Sequence, residues 1–296
     1  MERYVIHVTK ECNMNCLYCY EKDKTSTYSW EEIKEVIDDL IKFRTSDEFT
    51  VEFLGGEPML AWEYIKDAYE YMEQFEDISV PEYTITSNGT IMTPEIADYL
   101  GKNQKIHWAI SLDGHLHGNQ LRVFKDNNKN SYDTVKENIK LGKSFDLKAS
   151  VHMVTHPYNV AFLADSIDHL YREGIRYIDP GIVESTMKID QQFADRFIAE
   201  MKKVSELIVK GHYPGLVMGI LDWLKPKTDI RSYIKDSDGR VLAESYGRSG
   251  EDISYQDEAY TIVRCETPDE ISKLIYFIRE TVYTNHQTLT GEAEKK

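Results

Sequence analysis

The chain has 296 residues, of which 41% are hydrophobic and 29% are charged. This composition is that of a folded protein and excludes disordered and collagen-like chains. No apolar run reaches the roughly 18 residues that a membrane span needs, and the first residues lack the apolar segment of a signal peptide, so we expect a cytoplasmic protein. The formal net charge of −16 repels phosphate backbones, so neither nucleic acid nor a membrane is an expected partner.

Strand and helix patterns alternate through the first part of the chain. Six β-branched or aromatic runs predict strands at residues 4–8, 49–54, 83–86, 106–112, 149–155 and 177–183. Between these strands, apolar residues recur at helical spacing and predict five helices. The first begins at a capping box formed by Ser29 and Glu32. The others lie at residues 60–75, after Pro94, at 132–141 and at 160–172. Such alternation predicts a parallel sheet. Since a full barrel needs eight units, the expected fold class is α/β, a partial (β/α)6 TIM-like barrel.

The pattern changes near residue 185, so we expect a core at residues 1–185 and a small α+β extension at residues 186–296. A long helical pattern covers residues 190–210. Ser237-Asp238-Gly239 stands between two β-like runs and indicates a hairpin. The segment Thr267-Pro268-Asp269-Glu270 is a second capping box and opens a last helix.

Three of the four cysteines, Cys12, Cys16 and Cys19, follow the first predicted strand. Three thiolates can hold three corners of a [4Fe–4S] cube and leave the fourth iron open, whereas ferredoxins and structural zinc sites usually use four protein ligands. His7 is the available fourth ligand for zinc, but it lies inside the predicted strand. The spacing therefore favours an iron–sulfur cluster.

Other unusual residues also follow predicted strands. Gly-Gly-Glu-Pro at residues 55–58 follows the second strand, Ser87-Asn88-Gly89 follows the third, and Asp113 follows the fourth. Parallel α/β sheets place their chemistry at the carboxyl ends of the strands. These motifs therefore predict one site at that edge, beside the cysteines.

The segment CNMNCLYCYE at residues 12–21 resembles the signature of radical S-adenosylmethionine (SAM) enzymes. Together with GGEP, TSNGT at residues 86–90, ISLDG at 110–114 and the stretch at 122–139, it is similar to one branch of them. That branch contains the anaerobic sulfatase-maturating enzymes and the peptide-modifying enzymes with SPASM or twitch extensions. The resemblance covers about residues 4–182 and implies reductive cleavage of SAM to a 5′-deoxyadenosyl radical, which takes hydrogen from a peptide or protein.

The resemblance also implies roles for individual residues. Cys12, Cys16 and Cys19 would bind one [4Fe–4S] cluster, and SAM would chelate its open iron. The residues implied to contact SAM are Tyr18, Gly55, Gly56, Glu57, Ser87, Asn88, Ser111, Asp113, Met153 and Val154. The implied partners are a peptide or protein substrate and an electron donor such as flavodoxin or ferredoxin.

The chain departs from that branch in two places. Its one further cysteine, Cys265, cannot hold an auxiliary cluster alone, so we interpret the extension as a reduced SPASM/twitch-like region without a second cluster. The stretch at residues 114–122 has a histidine and Arg122, but the aspartate usual between them is missing. Cys265 is either a buried small side chain or a hydrogen-atom donor in a peptide epimerisation.

Several hypotheses remain open at this point. The substrate is a peptide or protein, or else a small molecule such as a nucleoside or sugar. A non-catalytic module that only binds a cluster is a third reading, although such a module does not need GGEP. Four histidines lie in or near the predicted loops at the carboxyl ends of the strands: His115, His117, His152 and His156. Each either orients the substrate or is an ordinary exposed residue. Because the cysteine motif begins at residue 12, we expect leader-peptide recognition from a separate protein or from the C-terminal region.

Overall fold

The computed structural model describes residues 2–22, 24–183, 186–222, 230–235, 241–245 and 269–291. It contains one eight-stranded sheet with helices packed against it. The strands are β1 (Glu2–Thr9), β2 (Phe49–Gly55), β3 (Tyr83–Ser87), β4 (Ile106–Ser111), β5 (Ala149–Thr155), β6 (Ile178–Ile182), β7 (Ile230–Lys235) and β8 (Val241–Ser245). The α-helices are α1 (Trp30–Phe43), α2 (Trp62–Met72), α3 (Pro94–Lys102), α4 (Tyr132–Ser144), α5 (Leu163–Arg172), α6 (Gln191–Val209) and α7 (Asp269–Thr290).

Strands β1 to β6 lie side by side in chain order, and each is parallel to the next. A helix follows each of the first five strands, and α6 follows the sixth. The predicted α/β fold, a partial TIM-like barrel, is confirmed. All the motifs that follow strands therefore lie at one edge of the sheet, its carboxyl edge.

The two faces of β1 to β6 carry different side chains because successive residues of a strand point to opposite faces. On the outer face, residues such as Ile6, Phe53, Ile85 and Trp108 are almost fully buried and form one core with the apolar stripes of the helices. We call the opposite side of the sheet the inner face. Its polar side chains include Arg3, His7, Thr50, Glu52, Thr84, Thr86, His107, Ser111, Ser150, His152 and Asp179.

Helix starts follow the capping signals of the sequence. Ser29 accepts a hydrogen bond from the backbone of Glu32, whose side chain accepts one in return, so the predicted capping box is present at α1. Asp190 caps α6 through the backbone of Phe193. The helix expected at residues 60–75 is shorter, because a 3-10 turn, Pro58–Ala61, precedes α2.

The predicted hairpin is also present, since β7 and β8 pair antiparallel. Strand β7 pairs in parallel with β1, so the hairpin extends the sheet of the core. Helix α7 packs on α6. The hairpin thus lies directly against the first 185 residues, whereas α7 packs on a helix that lies beyond residue 185. The boundary expected at residue 185 stays a prediction. No helix within the described ranges has the length and apolarity to cross a membrane.

Candidate functional site

The three clustered cysteines lie in the loop between β1 and α1, and each is half-buried. The loop is held by the bond from the Cys19 N–H to the Cys16 carbonyl at 3.1 Å. The Sγ of Cys12 accepts from the backbone of Met14 at 3.4 Å and from the Asn88 amide at 3.9 Å. Burial raises the pKa of the Cys12 thiol, and it raises that of Cys16 to about 11. These thiols are therefore protonated at neutral pH until a metal displaces the proton.

The cysteines suit a cluster better than a single ion. In the described part of the chain, no three side chains of His, Cys, Asp or Glu converge on a point where one metal ion could bind. A tetrahedral zinc site requires such convergence. A cube binds each thiolate at a different iron, so its ligands stand apart from one another. The donor set, three soft thiols in one loop, fits the [4Fe–4S] group.

Gly55 and Gly56 pack the end of β2 against the cysteine loop. A Cβ on Gly55 would lie 2.1 Å from the Thr9 carbonyl oxygen, and one on Gly56 would lie 2.3 Å from that of Glu11. Two backbone bonds join the loops: Gly56 N–H to Thr9 at 2.9 Å and Glu57 N–H to Glu11 at 2.7 Å. Both glycines are therefore required for this close backbone approach, a role that the sequence did not indicate.

Glu57 is fully buried and joins the ends of β2 and β3. Its Oε1 accepts from the Ser87 hydroxyl at 2.8 Å and from the Met59 N–H at 3.0 Å, and its Oε2 accepts from the Asn88 N–H at 2.6 Å. Burial raises the pKa of Glu57 to about 7, although these donors act in the opposite direction. The structure thus brings together three of the predicted site residues, with Glu57 as their centre.

Asp113 is the second buried carboxylate of the edge. It accepts from the Tyr18 hydroxyl at 2.5 Å and from the Val154 N–H at 2.8 Å, and it forms an ion pair with Arg122, whose Nε lies 3.0 Å from Oδ1. Burial raises the pKa of Tyr18 well above its ordinary value, so the hydroxyl remains a donor. Asp113 therefore ties the cysteine loop to the ends of β4 and β5.

Arg122 and Asn119 are parts of this site to which the sequence analysis gave no role. The Arg122 guanidinium lies 5.3 Å from the centre of the Tyr18 ring, and Arg122 is buried. Asn119, fully buried, accepts from the backbone N–H of Asp113 at 3.1 Å. Asn119 thus holds the backbone of Asp113, and it lies in the stretch that lacks the expected aspartate. Asn119 stands three residues before Arg122 in the sequence, and this spacing was the signal from which its role could have been predicted.

Three other predicted residues occupy different environments. The side chain of Met153 is buried in the core of the outer face, so only its backbone reaches the edge. Val154 donates its N–H to Asp113. Ser111 lies on the inner face and is paired in register with His152 on β5. Cys265 lies outside the described residues.

The four loop histidines differ in their surroundings. His156 is fully buried; its Nδ1 accepts from the Tyr158 N–H at 3.2 Å, and its ring centre lies 5.4 Å from that of Tyr18. Burial lowers the pKa of His156 to about 4, so the imidazole is neutral with its proton on Nε2. His115 and His117 pack on Phe162 beside the β4–α4 loop. His152 lies on the inner face, with its Nδ1 3.5 Å from an oxygen of Asp179.

A family model described as the radical SAM superfamily matches residues 6–170, which is more than half of the chain. The match covers the cysteine loop, GGEP, Ser87 and Asn88, Asp113 and both residues of β5 discussed above. The edge built from these residues thus lies within the part of the chain that the family model matches.

Curated relatives include proteins with different named activities. A serine-type anaerobic sulfatase-maturating enzyme of Bacteroides thetaiotaomicron is 24% identical over 56% of this chain and 42% of its own. An S-adenosylmethionine-dependent nucleotide dehydratase of Selenomonas ruminantium is 25% identical over 80% of this chain and 84% of its own. A Methanocaldococcus jannaschii protein is 26% identical over 64% of this chain and 65% of its own. The chain therefore spans less than two thirds of the first and third of these relatives.

The fold is shared with a solved structure of native anSMEcpe with bound AdoMet and Kp18Cys peptide. The TM-score is 0.64 at 15% identity, and the match covers 74% of this chain and 64% of that one. At this identity the likeness concerns the fold.

Proposed function

Because the chain belongs to the radical SAM superfamily, whose members use a [4Fe–4S] cluster and SAM, we propose that it modifies a peptide or protein by removing a hydrogen atom from it. When bound, these two groups together supply an organic radical able to attack an unactivated C–H bond. The observation that carries the proposal is the single edge at which three half-buried thiols meet two buried carboxylates. Residues 1–185 form the core in this proposal.

The chain's own residues position the two groups. Cys12, Cys16 and Cys19 hold the cluster, and Asn88 donates to the sulfur of Cys12. Tyr18, Gly55 and Gly56 keep the cysteine loop in place, so that SAM meets a preformed site. Two buried carboxyl groups hold the residues that are predicted to contact SAM. Glu57 fixes Ser87 and Asn88 through hydrogen bonds. Asp113 fixes Tyr18 and Val154 in the same way. Preformed positioning of this kind is the main contribution that a protein makes to cofactor chemistry.

A peptide substrate is supported by the solved neighbour, which holds a peptide, and by the charges of the inner face. In the described part of β1 to β6 that face carries one cation, Arg3, and two carboxylates, Glu52 and Asp179, and Arg3 is already paired with Glu52. Burial lowers the pKa of His7 to about 4 and also lowers that of His107, so these two add no positive charge at neutral pH. A phosphorylated substrate would find little electrostatic support there.

A nucleotide is the second candidate, because the nucleotide dehydratase matches along most of both chains. The charges just described count against it. Equilibrium dialysis with ATP and with cytidine triphosphate separates the two candidates. Peptide modification predicts no saturable binding of either nucleotide by the SAM-loaded protein, and micromolar binding would favour the second candidate.

The proposal is tested by anaerobic reconstitution followed by analysis of products. We expect about four iron atoms per chain, lost when Cys12, Cys16 and Cys19 are all replaced by alanine. About eight irons would contradict the single cluster, and stoichiometric zinc would contradict the cluster altogether. Reduced protein should convert SAM to 5′-deoxyadenosine, which excludes a non-catalytic module. The same assay with a flavodoxin or ferredoxin in place of dithionite tests the expected electron donor.

Glu57 and Cys265 can be tested in that same preparation. Glu57→Ala should weaken SAM binding by roughly 1.5–3 kcal/mol, because it removes the hydrogen bonds that hold Ser87 and Asn88 in place. An unchanged affinity for SAM would show that Glu57 is not part of the SAM site. Cys265→Ala should still consume SAM but give no solvent deuterium at Cα if Cys265 is a hydrogen-atom donor. Unchanged labelling in D2O would end that role.

A further inference from the structure

The inner face holds a pair of titratable side chains that the site at the edge does not use. His152 on β5 and Asp179 on β6 face each other across the two strands, paired in register. Their side chains are 42% and 32% exposed, in contrast to the fully buried residues on the outer face. Both are therefore accessible to a molecule that enters the partial barrel.

This pair lies close to the site. His152 is in register with Ser111 and stands two residues before Val154 on the same strand, and the N–H of Val154 bonds to Asp113. Asp179 is its neighbour one strand further from the cysteine loop. A substrate group held by this pair would reach the sheet edge within two residues of strand, or about 7 Å.

Asp179 retains the capacity to bind a further group. The closest approach to His152, between Nδ1 and Oδ2, is 3.5 Å, which is longer than a hydrogen bond. The other oxygen, Oδ1, lies beside Gly219, where an added Cβ would be 3.1 Å away. Because position 219 is a glycine, no side chain from it covers this oxygen; the Tyr177 hydroxyl would be 3.5 Å from the same Cβ. A partly exposed carboxylate with open lone pairs binds a charged donor most strongly.

The neighbouring groups determine which sign of charge a ligand at Asp179 should carry. Glu52 is occupied by Arg3 and by the Thr86 hydroxyl. His107 bonds to Ser150 at 2.7 Å, and burial lowers its pKa. Among the described residues of the inner face, Asp179 is then the carboxylate without a lysine or arginine partner. The whole chain, at −16, adds a field of the same sign.

From this arrangement we infer that Asp179, with His152 beside it, binds a cationic side chain of the peptide substrate, a lysine or an arginine close in sequence to the modified residue. This inference rests on the proposed function and adds to it the chemical class of the group that is recognised. Asp179 is a specificity-determining residue in this account. His152 lines one side of the carboxylate, with its Nδ1 3.5 Å from Oδ2.

The experiment uses the reconstituted, SAM-loaded protein and short peptides randomised at every position. After anaerobic turnover, peptides of altered mass are sequenced by mass spectrometry. Lysine or arginine should be enriched near the modified residue. A peptide chosen from this set should show a KM about tenfold to a hundredfold higher with Asp179→Asn, while kcat is unchanged, because the cation forms its charge-assisted bond in the ground state as well. Asp195→Asn, an exposed aspartate on the outer helix α6, is the matched control and should leave KM unchanged.

A second arm alters the peptide, and its first measurement uses the unaltered protein, so that measurement does not depend on folding of a variant. Replacing the arginine of the chosen peptide by citrulline, or its lysine by norleucine, should raise KM for the native protein and have no further effect on Asp179→Asn, because the two changes remove the same interaction. Modified peptides without enrichment of cations, or additive effects of the two changes, would overturn the inference and leave the proposed function intact. Formation of 5′-deoxyadenosine with no modified peptide would overturn both.

Discussion

The outer and inner faces of β1 to β6 come from the same strands, but the outer face is mostly apolar and the inner face is mostly polar. Outer residues such as Ile85 and Trp108 are within 1% of full burial and join the helices in one core. Inner residues such as Thr86 and His152 are polar and partly exposed. One face therefore supplies stability, and the other is left available for chemistry. The carboxyl edge is where the two requirements meet, since Glu57 and Asp113 are both buried and, in the proposed function, hold the residues that contact SAM.

The edge should show the largest effect of a single substitution. Arg122→Met removes the cation from the buried ion pair and leaves Asp113 with an uncompensated charge. We expect the free energy of unfolding of the apoprotein to fall by about 3–5 kcal/mol, as measured by chemical denaturation. Adding Asp113→Asn to Arg122→Met should recover part of that loss. A loss below about 1 kcal/mol would show that Tyr18 and Val154 alone satisfy the carboxylate.

The two faces can be compared directly on neighbouring positions of β3. Ile85→Ala opens a cavity in the core of the outer face and should cost about 2–4 kcal/mol of unfolding free energy. Thr84→Ala, on the inner face, should cost less than about 1 kcal/mol. The measurement is the denaturant midpoint at a constant slope. Equal losses at the two positions would contradict the division between the faces.

Buried His156 gives the edge a pH dependence. Its pKa is about 4 in the folded protein and about 6.5 when unfolded, so the unfolded chain binds more protons between these values. Stability contributed by the neutral imidazole is complete above pH 6.5 and is lost as the pH falls. At pH 5 the loss is about 2 kcal/mol.

This loss is measured as the difference between the unfolding free energies of the apoprotein at pH 7 and at pH 5. His156→Gln should lose less stability than the native protein over that interval. His117→Gln, at an exposed position, is the control and should follow the native protein. An unchanged pH dependence in His156→Gln would assign the acid sensitivity to other groups.

The smallest expected effect lies far from the edge. Ser29→Ala removes the capping hydrogen bond of α1 and should cost about 1 kcal/mol of unfolding free energy. SAM affinity of the reconstituted protein should not change, because α1 belongs to the outer layer. A change in SAM affinity would show that the position of α1 is transmitted to the cysteine loop.

Local patterns predicted the fold well for a physical reason. Alternating strands and amphipathic helices leave few topologies once right-handed crossovers are imposed. For the same reason Cys12, Glu57, Asn88 and Asp113 could be placed at one edge from the strands that precede them. The capping box at Ser29 depends on four consecutive residues and was equally predictable.

Contacts between distant segments were not predictable from local patterns. The pairing of β7 with β1 depends on where a hairpin docks, and nothing in the sequence of the hairpin specifies its neighbour. The ion pair of Asp113 with Arg122 and the contact between His152 and Asp179 depend on loop path and strand register. For Gly55 and Gly56 the sequence indicated closeness to a ligand, whereas the structure shows closeness to the backbone of the cysteine loop.

That backbone contact has a consequence for the order in which the protein is built. The cysteine loop is held by bonds from Gly56 and Glu57 to Thr9 and Glu11, so its shape depends on a segment made more than forty residues later. On a ribosome, Cys12, Cys16 and Cys19 emerge before their support exists. Metal offered at that moment would meet flexible thiols, which bind many ions without selection. In the proposed function, a loop already fixed against β2 would present its three thiols to iron and sulfide in one geometry, and Gly55 and Gly56 are the residues that permit this contact.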